Sequence, residues 1–190
     1  MTSRLSPAQQ TVSSALSAEL TARAWDTPPA LYAIGVQGSH CQLLHIPVPA
    51  TTWALMNPAD VLAAMAADIA MFGARPGATA RPGFYGVAFR FEAWDLPWGL
   101  LHGPARHQAQ ADLAAGRLHA RPDRLEARYF LGTGRDGTSY EARQYRWQDR
   151  VRSSVYLPGR EAPQSPVHDA LRLMTAAAAG ASRDDPGAEP

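Results

Sequence analysis

Three side chains able to ligate a metal or act as nucleophile or base lie close together: His40, Cys41 and His45. On an extended chain Cys41 and His45 share a face while His40 points the other way. A three-ligand site needs that last side chain to turn round, and neither a second cysteine nor an obvious carboxylate lies near in sequence. The residues therefore read as ordinary histidines on a strand edge, with no metal assigned. As a nucleophile Cys41 needs a base and an electropositive setting. His45, or His102, His107 and His119 further along, are the available bases, so a cysteine-dependent enzyme stands as a second alternative. The commoner role of such a cysteine is that of a small buried hydrophobe. Gly38-Ser39-His40 lacks the G-x-S-x-G pattern of a nucleophile elbow, and no HExxH, GxGxxG or paired-carboxylate motif stands out. No catalytic residue and no cofactor is assigned.

A second pattern mixes charge with rings. Between Arg117 and Tyr156 arginines alternate with aromatics, and Arg128, Arg143, Tyr145, Arg146 and Trp147 are the candidates for gripping a single-stranded nucleic acid on a sheet face. On a strand Arg143, Tyr145 and Trp147 share one face and Arg146 lies opposite. The plainer reading is an ordinary hairpin, because aromatics favour strands. Residues 117–160 hold ten Arg and five acidic residues, and the remainder holds eight Arg and twelve acidic residues, so the excess of positive charge is local and modest.

The third pattern is apolar. Trp94-Asp95-Leu96-Pro97-Trp98-Gly99-Leu100-Leu101 follows a strand, and Trp94, Trp98, Leu100 and Leu101 are the candidates for a partner-binding patch. The competing role is to cap the sheet core. An echo lies upstream, where Ala24-Trp25-Asp26-x-Pro28 matches Ala93-Trp94-Asp95-x-Pro97. Both read as corners, each with an aromatic anchor and a carboxylate that ties down a turn.

Composition removes several chemistries. All 18 basic residues are arginine. Without lysine there is no Walker-type phosphate lysine, Schiff base or lysine general base. One cysteine permits no intrachain disulfide and no thiolate zinc cluster. The N-terminus lacks a signal-peptide core and no apolar run reaches membrane-spanning length, so a cytoplasmic protein without a membrane partner is expected.

The elements that must carry these residues are legible from caps and periodicity. Ser6-Pro7 opens a helix over 7–23 with Val12, Leu16 and Leu20 on its buried face. After the Trp25 corner, 31–36 reads as a strand covered on both faces. A second strand over 41–48 is blunted by Pro47 and Pro49 as an edge, and 51–55 extends it or is irregular. Asn57-Pro58 starts a helix that Gly73 stops. Ala-Arg-Pro-Gly then occurs twice in 74–83 as turn chemistry. The strand 84–94 is expected to point Tyr85, Val87, Phe89, Phe91 and Ala93 to the core, with Arg90 and Glu92 on its outer face and Glu92 paired to a cross-strand arginine. A short helix over 106–115, strands over 125–131, 139–147 and 151–157 with an Asp136-Gly137 hairpin turn, and a helix from Ser165-Pro166 to Gly180 complete the chain.

The expected fold is α+β, an antiparallel sheet of five to six strands with helices packed on it, in the order α-β-β-α-β-(insert)-β-β-α. Residues 1–180 read as one domain and 181–190 as a disordered tail. Without the insert the order resembles profilin-like and roadblock-like modules. The segment Trp25 to Tyr32, with Glu92-Ala93-Trp94 and Pro122 to Arg128, resembles a group of uncharacterised actinobacterial and actinophage proteins. That resemblance spans about 25–174 and implies no activity. The function expected is a non-enzymatic interaction or regulatory module that binds a protein partner or its own copy. Single-stranded nucleic-acid binding is the alternative.

Overall fold

The computed structural model describes residues 4–73, 83–160 and 165–181. The repeated Ala-Arg-Pro-Gly turn (all but Gly83) and the tail from 182 lie outside them. Six antiparallel strands form one open sheet: β1 (Ala30–Gln37), β2 (His40–Ile46), β3 (Phe84–Asp95), β4 (Leu125–Gly134), β5 (Ser139–Tyr145) and β6 (Arg152–Tyr156), in the spatial order β2-β1-β3-β4-β5-β6. The edges are β2 and β6. The fold is thus α+β as expected.

Each face of the sheet buries a different helical layer. Helix α1 (Pro7–Ala22) lays Val12, Leu16 and Leu20 on Tyr32, Ile34, Phe130 and Tyr140. Each fully buried leucine contributes about 2 kcal/mol of transfer free energy. Its start is a capping box: Ser6 Oγ accepts from the Gln9 amide at 3.2 Å and Gln9 Oε1 accepts from the Ser6 amide at 2.9 Å. Gln9 Nε2 also donates to Thr138 Oγ1 at 3.0 Å, which locks the helix to the β4–β5 turn. On the opposite face α3 (Pro58–Phe72) and α5 (Pro166–Ala181) place Val61, Leu62, Leu171 and Met174 against Leu31, Phe89 and Leu131. Asn57 caps α3 through a 2.9 Å bond from the Ala59 amide, and Gly73 ends it at φ 76°.

Several expectations need correction. Residues 50–55 are a short helix, α2 (Ala50–Leu55), whose Trp53 packs on Phe89 at 5.0 Å between ring centroids. The insert does hold the expected short helix, α4 (Gly103–Ala114), which starts earlier than expected and is followed by a 3₁₀ turn (Leu118–Ala120). From Phe84 to Arg90 strand β3 is buried on both faces rather than one. Tyr85 leaves the face of Val87 and Phe89 and joins the α1 layer, because the β1 register slips from Ile34↔Gly86 to Gly35↔Phe84 and leaves Tyr85 in a bulge. Gly86 sits there because a Cβ would lie 1.9 Å from the Thr133 carbonyl oxygen. Arg90, expected on an outer surface, is buried.

The two layers cover the sheet unequally. Helix α1 stops at Ala22, before the last residues of β3 and the first of β4. The connection 23–29 crosses that bare end, and its polar backbone must be satisfied there.

Candidate binding ledge

The bare end of the sheet on the α1 side is built by alternation. Arg90, Glu92 and Trp94 are successive same-face residues of β3. The register sets Glu92 opposite Arg128, Trp94 opposite Glu126, and Arg128 opposite Gln144 of β5. Arg146, one residue past β5, is held at the same level by its amide bond to the Glu126 carbonyl, 3.0 Å.

Arginines fasten the crossing segment. Arg128 is buried, and its NH1 donates to the Arg23 carbonyl at 2.6 Å. Its Nε and NH2 both donate to Gln144 Oε1, at 3.0 and 2.6 Å. Burial, with no carboxylate in direct ion pairing among the described residues, lowers its pKa from the ordinary arginine value. Arg90 donates to Thr27 Oγ1 and to the Pro28 carbonyl. Arg146 grips Asp26 in a fork, 3.2 and 2.6 Å, and the bond holds the Asp26 carboxyl below and the guanidinium above their usual ranges. The guanidinium carbons of Arg128 and Arg146 lie 4.6 and 4.8 Å from the Trp25 ring centroid.

Asp26 has φ 62°, the one non-glycine residue in the left-handed region among the described residues. That conformation costs an Asp of order 1 kcal/mol, and it persists because both ends of the residue are held. Its amide donates to Glu92 Oε1 at 2.9 Å. The carboxylate ties the corner through an arginine, where a turn amide was the expected partner.

Carboxylate oxygens of Asp26, Glu92 and Glu126 lie within 4.8 Å of one another. Arg146 meets all three, with Glu126 at 2.7 Å and Glu92 at 4.0 Å. The cation among these carboxylates is thus the chain's own guanidinium. Beside them Trp94 is 40% exposed, with Arg124 stacked over its ring at 4.6 Å. The result is a continuous ledge in which Trp25 and Trp94 are separated by the charged set of Arg146, Glu92 and Glu126. Arg124 and Asp26 complete that set, which holds two arginines and three carboxylates, and Arg128 is buried and not part of it.

The other sequence candidates divide. Trp98 is half-buried and Leu101 is buried, both around Leu96 and Ala109 of α4, so the Trp94–Leu101 loop is a small core of its own. Leu100 is 80% exposed and stands apart from that core. The expected four-residue patch therefore reduces to Trp94 and Leu100. Arg128 is too buried to meet a nucleic-acid strand. Arg143, Tyr145 and Trp147 share the opposite face from Arg146, as the alternation requires. There Asp95, also buried, accepts from the Leu96 amide at 2.7 Å, Tyr145 Oη at 2.8 Å and Arg143 at 3.1 Å. Trp147 stacks on Tyr145 at 6.0 Å. Burial raises the pKa of the neighbouring Glu141. The Arg-aromatic set is thus split across two faces, with Arg143 and Arg146 each paired to carboxylates on its own face and Arg128 buried on neutral acceptors.

Cys41 faces the α1 layer and burial pushes its thiol up to about 11. His45 shares its face and meets Tyr32 edge-on at 5.6 Å. No hydrogen bond joins Cys41 to a histidine among the described residues. Glu126 is the ledge residue that sequence reasoning missed; its signal is the antiparallel register that sets it opposite Trp94.

No family model matches the chain, and neither a curated protein nor a solved structure matches it. No helix among the described residues is long and apolar enough to cross a membrane.

Proposed function

We propose that the chain is a non-enzymatic interaction module that associates with a second copy of itself across the ledge. The observation that carries this reading is the exposed Trp94, stiffened by Arg124 and flanked by both arginines and carboxylates. Tryptophan and arginine are the side chains that dominate binding energy at protein interfaces. A face with both signs at fixed spacing can meet its own copy about a two-fold axis, arginine to carboxylate. The same mixture of signs disfavours a nucleic acid, whose affinity rests on net positive charge and counterion release. Asp26 is held in its unusual conformation by contacts that also order the ledge in advance, which lowers the entropy lost on docking.

A dilution series of ¹⁵N-labelled protein tests the reading. The indole N–H signals of Trp94 and Trp25 are expected to move with concentration while that of the core residue Trp53 stays fixed. Signals that do not move at any concentration, or that move for Trp53 alone, contradict it.

A further inference from the structure

A separate observation lies on the other side of Arg90. A cleft of about 420 Å³ opens between the 23–29 crossing segment and the β2–α2 connection. Its walls include Tyr32, Trp53, Val48, Pro29 and His45, with Arg90 among the lining residues. Arg90 is 5% exposed. Its two terminal nitrogens reach only neutral acceptors, Thr27 Oγ1 and the Pro28 carbonyl, and its Nε has no hydrogen-bond partner. No carboxylate forms an ion pair with it among the described residues. A buried guanidinium without a counter-charge is costly, and an anion placed beside it removes that cost.

The surroundings select the anion. The other cation of the cleft, Arg23, is already engaged by Glu19 at 2.7 Å. Glu19 also accepts from Tyr32 Oη at 3.4 Å. One unbalanced positive charge therefore faces the cleft, and the Glu19 carboxylate near its rim opposes a second negative charge on a ligand. Aromatic and aliphatic walls favour an apolar body, and the volume lies near the lower end of the range for small-molecule sites. We propose that this cleft binds a small aromatic carboxylate monoanion, its carboxylate against the Arg90 guanidinium and its ring within the walls formed by Pro29, Tyr32, His45 and Trp53. The site is independent of the ledge and survives if self-association fails.

The probe is benzoate, titrated into ¹⁵N-labelled full chain, with benzyl alcohol and inorganic phosphate in parallel. Saturable shifts of the Arg90 Nε–H and Trp53 indole N–H signals are expected with benzoate alone. Arg90→Gln removes the charge. Should that variant fail to fold, Ala50→Phe carries the test, because Ala50 is exposed and lines the cleft, so a phenyl ring there occupies the ligand space and replaces no buried side chain. Arg90→Gln is expected to weaken benzoate roughly tenfold or more, the size of a lost charge-assisted hydrogen bond, and Ala50→Phe to abolish saturable binding by filling the space. The proposal is overturned by the absence of saturation with benzoate, by equal shifts from benzyl alcohol or phosphate, or by Ala50→Phe binding benzoate as tightly as the parent chain.

Discussion

Replacing Arg128 by leucine tests how the crossing segment is held. The substitution strands two acceptors, the Arg23 carbonyl and Gln144 Oε1, which now receive bonds of 2.6 Å and of 3.0 and 2.6 Å. A stranded acceptor costs about 1–3 kcal/mol where it is buried, as Gln144 Oε1 is, and less at the part-buried Arg23 carbonyl. Loss of the guanidinium over Trp25 adds about 0.5–2 kcal/mol. Against this, leucine relieves the burial of a charge, the same burial that lowers the Arg128 pKa. The net loss is about 3 kcal/mol, a fall in Tm of roughly 6–12 °C for a domain of this size. Urea unfolding followed by circular dichroism gives the stability. Amide exchange at residues 24–27 gives the local effect, since the segment is expected to open faster than the core. Arg124→Leu serves as control, because Arg124 is exposed and is expected to change stability by less than about 1 kcal/mol. If Arg128→Leu costs less than the control and residues 24–27 stay protected, the arginines do not hold the corner.

Gly86→Ala places a methyl group 1.9 Å from the Thr133 carbonyl oxygen and 3.0 Å from Gly134 Cα. The backbone of the paired strand β4 cannot yield that far, so a loss above about 3 kcal/mol or failure to fold is expected, read by soluble yield and thermal melting. His168 is buried with Nε2 unpartnered, and burial lowers its pKa below 6.5, helped by Arg172 and opposed by Asp169. Below pH 6.5 the unfolded chain then binds a proton that the folded chain does not, so stability falls as pH drops from 6.5 toward the folded value. His168→Leu is expected to flatten the urea midpoint over that window, and an unchanged slope contradicts the assignment. With its thiol pushed up to about 11, Cys41 is expected to react at pH 8 far more slowly in the native chain than in the urea-unfolded chain. Equal rates would revive a nucleophilic role.

The helix starts were legible because caps are local: Ser6-Pro7, Asn57-Pro58 and Ser165-Pro166 act within one turn of themselves. The Asp136-Gly137 turn was legible for the same reason, with Gly137 at φ 79° and Asp136 Oδ1 accepting the Thr138 amide at 3.1 Å. What escaped depends on partners distant in sequence. Tyr85 changes face because of a bulge set by β1. Arg90 and Arg128 alternate correctly along their strands, yet a polar residue at an outward position is normally a solvated one. Here the 23–29 segment lies over that outer face and buries them. Leu101 and Trp98 turned inward because α4 supplies Ala109, a partner that the weakly amphipathic insert did not announce. The echo between Trp25-Asp26 and Trp94-Asp95 held in a changed form. Both aspartates tie a corner through arginine, but Asp26 does so on the α1 face and Asp95 on the other. Trp25 and Trp94 nevertheless end on one ledge, because one precedes β1 and the other lies on the bare end of β3.

Sedimentation equilibrium of the chain over a wide concentration range tests the central claim most directly. A monomer–dimer equilibrium is expected, shifted to monomer by Trp94→Ala with the circular dichroism spectrum unchanged. A chain that sediments as a monomer at its highest soluble concentration, or a dimer that Trp94→Ala leaves intact, contradicts the ledge as the interface.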